Sequence, residues 1–303
     1  MEVAVKNLSR RSLLGASASA VVVAAAAADT ASAETAVRGG QSGYALADDG
    51  HRIYYETYGR RSGAPIVLLH GGVMAIESAW GPDFIRRFSR TRRVIAVEQQ
   101  AHGHTGDRAG APITYERMAD DTKAVLDHLG VERADFFGHS MGGAISVLMA
   151  IRHPDRTRNV TALSCGYRTD GMLPELVEMN RNPQHQPSPE LIPLLPTQQD
   201  FEAWSATYAR VSPDGAAGLQ NVLAKLGALI NSWPGYTEDQ LRGIRTPVLL
   251  GMGDRDFITA EHFARMASLI PEAQYAVLPG TTHMSILQRG DWLERMMAAR
   301  FAV

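Results

Sequence analysis

The chain has 303 residues, of which 45 % are hydrophobic and 20 % charged, with a formal net charge of -2 and a single cysteine. A balance this even, without a basic run, argues against nucleic acid or an anionic membrane as a partner, because both are held by clustered positive charge. One cysteine, Cys165, excludes an internal disulfide, and at the end of an apolar run it reads as a small buried residue.

In chain order the first segment concerns destination. Ser9-Arg10-Arg11-Ser12-Leu13-Leu14 sets a twin-arginine pair before an alanine-rich stretch that is too short and too weakly apolar for a transmembrane helix. Ala31-Ser32-Ala33 then offers an A-x-A cleavage site. Residues 1–33 are expected to be a Tat export signal read by the Tat machinery, with Glu34 first in the mature chain. The mature protein would be periplasmic or secreted, with no stable membrane association.

Residues 43–58 read as a hairpin around Asp48-Asp49-Gly50. A buried-type strand at 65–69 ends in His70-Gly71-Gly72-Val73, where glycines let main-chain N–H groups approach a ligand atom closely. A helix around 80–88, a strand at 93–97, a helix over 115–129 and a short strand at 134–137 follow. Then comes Gly138-His139-Ser140-Met141-Gly142, opening a helix over 142–150. A G-x-S-x-G pentapeptide between a strand and a helix has the context of a nucleophile elbow. Its glycines are expected to keep neighbouring Cβ atoms away from a strained serine, whose hydroxyl stands where free helix N–H groups favour developing negative charge.

A strand at 159–164 precedes residues 166–242, where the strand–helix alternation stops. Six prolines (174, 183, 187, 189, 193 and 196) divide this stretch into short helical runs at 173–179, 200–210 and 216–230. It reads as an inserted helical cap, with Trp204 and Trp233 among the apolar residues expected to line a cavity above Ser140. Alternation resumes with a strand at 246–252 and the turn Gly253-Asp254-Arg255-Asp256, then a strand at 274–278 and the turn Pro279-Gly280-Thr281-Thr282-His283. Asp256, just beyond a strand end, is the candidate acid, and Asp254 reads as a turn-capping residue. His283, behind the last strand, is the candidate base. The order Ser140, Asp256, His283 differs from that of either common protease type.

These pieces together resemble the α/β-hydrolase fold family, of the esterase, lipase and perhydrolase type, over nearly the whole mature chain. The resemblance implies a mostly parallel sheet with helices on both faces, formed by residues 34–165 and 243–303, and a cap over 166–242. It implies a Ser140, His283, Asp256 triad acting through an acyl-enzyme, with an oxyanion hole from the N–H of Met141 and that of Gly72, or of the neighbouring Val73. Substrate contacts are expected from Val73, His139, Trp204 and Trp233. The expected substrate is a small to medium apolar carboxylic ester; lactone, amide, carbon–carbon bond and peracid chemistry use the same triad, and a non-catalytic binding protein is the reading from another class. A serine in the elbow argues against the epoxide hydrolase and haloalkane dehalogenase branches.

The sequence carries no G-x-G-x-x-G fingerprint, P-loop or zinc spacing, so neither cofactor nor metal is expected. One loop departs from the family pattern: Glu98-Gln99-Gln100-Ala101-His102-Gly103-His104-Thr105 stands where relatives carry Asp-x-x-Gly-x-Gly-x-Ser. That loop runs beside the active site in the family and bears on substrate choice.

Overall fold

The computed structural model of the protein describes residues 40–60, 63–182 and 184–301. The export signal and cleavage site expected at 1–33 lie outside these residues. Eight strands occur: β1 (Gln41–Leu46), β2 (Arg52–Tyr58), β3 (Ile66–Leu69), β4 (Val94–Val97), β5 (Ala134–His139), β6 (Thr157–Leu163), β7 (Val248–Arg255) and β8 (Gln274–Thr282). The helices of the first half are α1 (Ile76–Ala79), α2 (Pro82–Ser89), α3 (Tyr115–His128) and α4 (Met141–Arg152). Helices α5 (Pro174–Arg181), α6 (Gln198–Val211), α7 (Gly215–Ser232) and α8 (Glu238–Arg242) follow β6, and α9 (Ala260–Leu269) and α10 (Gly290–Phe301) flank β8.

The strands form one sheet in the order β1-β2-β4-β3-β5-β6-β7-β8. The β1–β2 and β2–β4 pairs are antiparallel and every other neighbouring pair is parallel. Parallel neighbours need a crossover, which the intervening helices supply. All six residues of β5 are buried, so both faces of the sheet centre are covered. Because side chains alternate along a strand, one face presents Phe137 to Trp80, Phe84 and Phe88, while helix α4 packs across β3, β5 and β6. Helix α4 is buried from Met141 to Ala150, which explains why its sequence is apolar all round.

Three elements differ from the sequence reading. The helix expected around 80–88 is found as α2, which begins only at Pro82, a residue tolerated at a helix start, and an additional short helix, α1, precedes it. Strand β7 continues through Gly253-Asp254-Arg255, which had read as a turn, and β8 continues through Pro279-Gly280. Strand β8 is the sheet edge, where a proline lacking an N–H breaks no ladder, and the register shifts beside it between Gly253 and Arg255. Helices α9 and α10 were not anticipated.

The stretch between β6 and β7 is helical, as expected. Its α7 is fastened to the sheet side by Asp107, which accepts from Lys225 Nζ at 2.5 Å and from Asn221 Nδ2 at 2.7 Å. Arg210 of α6 is paired with Glu77 of α1. Among the described residues no helix is long and apolar enough to cross a membrane.

Candidate active site

Five strands that lie side by side each deliver one piece of the site at the carboxyl end. The chain leaves β3 into His70-Gly71-Gly72-Val73, β5 into Ser140, β6 into Ser164, β7 into Asp256 and β8 into His283. The residues read from sequence as nucleophile, acid and base are 116 and 27 positions apart, yet parallel pairing brings them to one edge of the sheet.

Ser140 is the residue before α4 and has φ 54 and ψ -116, a conformation that non-glycine residues rarely adopt. The first N–H groups of α4, beginning with Met141, have no intrahelical acceptor and point out of the helix end beside it. The glycines of the pentapeptide have a different task from the one expected. A Cβ at Gly142 would overlap the Leu69 carbonyl of β3, and a Cβ at Gly138 would overlap the Gly142 carbonyl. They let the helix backbone lie directly on the strands, rather than clearing space around the serine.

His283 and Asp256 are joined, with Nδ1 of the imidazole 2.7 Å from Asp256 Oδ1 and both groups buried. Burial pushes the Asp256 carboxyl up, but the facing His283 and the hydrogen bonds from His283 and Ser164 outweigh it and hold it at about 2. The carboxylate also accepts from the main-chain N–H of Phe257 at 2.7 Å. Asp254, two residues away, faces elsewhere: it accepts from the N–H of Gly280 at 3.0 Å and of Thr281 at 2.9 Å, tying down the irregular part of β8. The sequence reading of Asp254 as the cap of its own turn is thus corrected: Asp254 lies in β7 and holds main-chain N–H groups of the neighbouring strand.

Ser140 and His283 both line a cavity of about 200 Å³, and so do Met141, Gly72 and Val73. All four residues expected to contact substrate, Val73, His139, Trp204 and Trp233, also line it. Its roof comes from α6 and α7, and Leu226 Cδ1 lies 3.3 Å from where a Cβ on Gly72 would stand. Five described non-glycine residues have positive φ, and three of them, Val73, Ser140 and Ser164, line this cavity. Backbone strain is thus concentrated at the site. His139 has a second contact: its Nε2 lies 2.8 Å from the His283 carbonyl oxygen and donates to it, linking the elbow to the base loop. Burial, reinforced by the neighbouring His283, pushes His139 down to about 3, so its ring is neutral.

Two residues of the site escaped the sequence reading. Phe257 stacks on the His283 ring at 4.2 Å, and Ser164 Oγ donates to Asp256 Oδ2 at 2.6 Å. The only signals were adjacency to Asp256 and a serine at a strand end. The divergent loop is accounted for by Glu98, which accepts from the N–H of Ile76 at the start of α1 and from the N–H and ring of His104. His102 donates to the Gln100 carbonyl from Nδ1 at 2.8 Å. Among the described residues no group of three or more His, Cys, Asp or Glu is placed to hold a metal ion.

The chain is 28 % identical over 258 residues to 2-hydroxymuconate semialdehyde hydrolase of Pseudomonas putida, covering 79 % of this chain and 85 % of that one. It is 25 % identical over 266 residues to the bifunctional esterase/perhydrolase of Acinetobacter calcoaceticus, covering 80 % and 92 %. The crystal structure of the enol-lactonase from Burkholderia xenovorans superposes with a TM-score of 0.67 at 24 % identity, over 86 % of this chain and 100 % of that one, a likeness of fold. The profile of the alpha/beta hydrolase family matches residues 66–296, from β3 into α10 and so across the whole site. The chain belongs to the alpha/beta hydrolase family.

Proposed function

We propose that the protein is a serine hydrolase that cleaves a small to medium apolar carboxylic ester by acyl transfer. The observation that carries this reading is the buried Asp256–His283 pair facing the same apolar cavity as a strained serine at a helix N-terminus. Ser140 Oγ attacks the ester carbonyl as His283 Nε2 takes its proton, and Asp256 holds Nδ1–H and stabilises the imidazolium. The N–H of Met141 and that of Gly72 or Val73 receive the oxyanion. Collapse of the tetrahedral intermediate expels the alkoxide, which takes the proton from His283, and water then releases the acid by the same steps.

The substrate class rests on the lining. Val73, Met141, Met172, Leu176, Ile230 and Phe257 present apolar surface to a substrate, Arg168, which also lines the cavity, is paired with Asp170, and helices α5–α7 serve as the cap that excludes water. Resemblance to an esterase/perhydrolase supports ester chemistry. The test is labelling by a fluorophosphonate together with hydrolysis of p-nitrophenyl butyrate. Stoichiometric labelling at Ser140 is expected, and Ser140→Ala should lose labelling and at least about 10³-fold in kcat while keeping its melting temperature. A variant within about tenfold of the parent would remove Ser140 from the mechanism.

A further inference from the structure

We propose that Ser164 is a positioning residue of the triad, whose hydroxyl pins the outer oxygen of the Asp256 carboxylate so that the other stays on His283. The proposal rests on the acyl-transfer reading. Ser164 follows the end of β6, is 1 % exposed, and donates its N–H to the Gly251 carbonyl at 2.7 Å, which fixes its backbone against β7. Its φ of 53 lies in the left-handed region, where glycine and asparagine are the usual occupants. A serine kept there at a conformational cost points to a use for its hydroxyl.

The donors around Asp256 show what that use is. Oδ1 receives His283 Nδ1 at 2.7 Å, Phe257 N–H at 2.7 Å and Ile258 N–H at 3.4 Å. Oδ2 receives Ser164 Oγ–H at 2.6 Å and Gly253 N–H at 3.3 Å. Among the described residues the Ser164 hydroxyl is therefore the one close donor on Oδ2. A carboxylate turns readily about its terminal torsion, which has broad, roughly two-fold preferences. Without Ser164 a buried anionic oxygen keeps one long hydrogen bond, and the group can rotate away from the imidazole. The same serine lines the catalytic cavity, so a change there acts beside the reacting atoms without removing any of them.

The test compares Ser164→Ala and Ser164→Gly, each in the parent and in an Asp256→Asn background, with p-nitrophenyl butyrate as substrate. Rates are taken per site titrated by fluorophosphonate, so an unfolded fraction does not enter them. Loss of a hydrogen bond to a charged group predicts a fall in kcat of about tenfold or more for both variants, with KM within about twofold. In the Asp256→Asn background neither change should cost more than about twofold, because the effect runs through the carboxylate. Glycine decides between hydroxyl and backbone, since it adopts φ 53 without strain. A Ser164→Gly enzyme with the parent's kcat, or losses that multiply in the Asp256→Asn background, would overturn the proposal while leaving the acyl-transfer reading intact. A parent protein that neither labels nor hydrolyses any ester would overturn both.

Discussion

Asp254 and Asp256 are separated by one residue and by opposite surroundings. The first is exposed and holds two main-chain N–H groups of β8; the second is buried against an imidazole. Asp256→Asn should therefore lower kcat by about 10⁴-fold, because an amide that donates to the ring selects the wrong tautomer. Asp254→Asn should stay within about tenfold in kcat and show its effect in the melting temperature, through the loosened end of β8. Steady-state kinetics and thermal melts on both variants give the ranking, and the reverse order in kcat would move the acid to Asp254. The three candidate residues, Ser140, Asp256 and His283, could be picked out because each directly follows a strand that the sequence spells out. Ser164 was not, because its meaning depends on β6 lying beside β7, and sheet order is not written in any one segment.

At the scale of elements, the two tryptophans expected to line the cavity turn out to differ. Trp204 of α6, with Met74 and Met284, borders both the cavity beside Ser140 and a separate groove lined by Phe84, Leu287 and Gln288, so it stands as a partition. Trp233 packs against the rings of Tyr115 at 4.6 Å and Tyr236 at 5.0 Å, where α7 ends. Trp204→Ala should open the cavity into the groove and raise kcat/KM for a C10 ester relative to a C4 ester by about tenfold, the scale of one or two methylene contacts. Trp233→Ala should chiefly lower stability, by about 3 kcal/mol or more, as large aromatic truncations in packed sites do. A p-nitrophenyl ester series and thermal melts separate the two, and an unchanged chain-length ratio in Trp204→Ala would show that the partition does not limit substrate length. Helices α3, α4, α6 and α7 were readable as helix-forming runs, whereas the side-chain caps Thr114 and Thr197 emerge only in the structure. The long β8 was not, since Pro279-Gly280 is a turn signal whose weight falls only at a sheet edge.

Across the whole molecule, three fully buried histidines contribute to the response to acid. Burial pushes His70 down to about 3, with the nearby His102 adding to it, pushes His102 itself down to about 4, and takes His139 to about 3. An unfolded chain takes up these protons near pH 6.5, whereas the folded one resists until pH 3 to 4. Their contribution to stability is thus fully present above about pH 6.5 and is lost as the pH falls toward 4. The melting temperature should be nearly level from pH 8 to 7 and fall steadily between pH 6.5 and 4, with a shallower fall in His102→Gln. A melting temperature that is level down to pH 4.5 would contradict neutral burial of these rings. The fold class was readable from the order of strands, helices and motifs, because parallel pairing leaves few topologies for such alternation.

The contact of Gly138 and Gly142 with the strand and helix backbones separates two pressures on the pentapeptide. A lineage that lost its substrate could replace Ser140 at once and keep a folded protein. Any side chain at 138 or 142 would lift α4 off β3 and β5, so those glycines would persist through the drift. The flanking glycines record the scaffold's ancestry, and the residue between them alone records whether its chemistry is still in use.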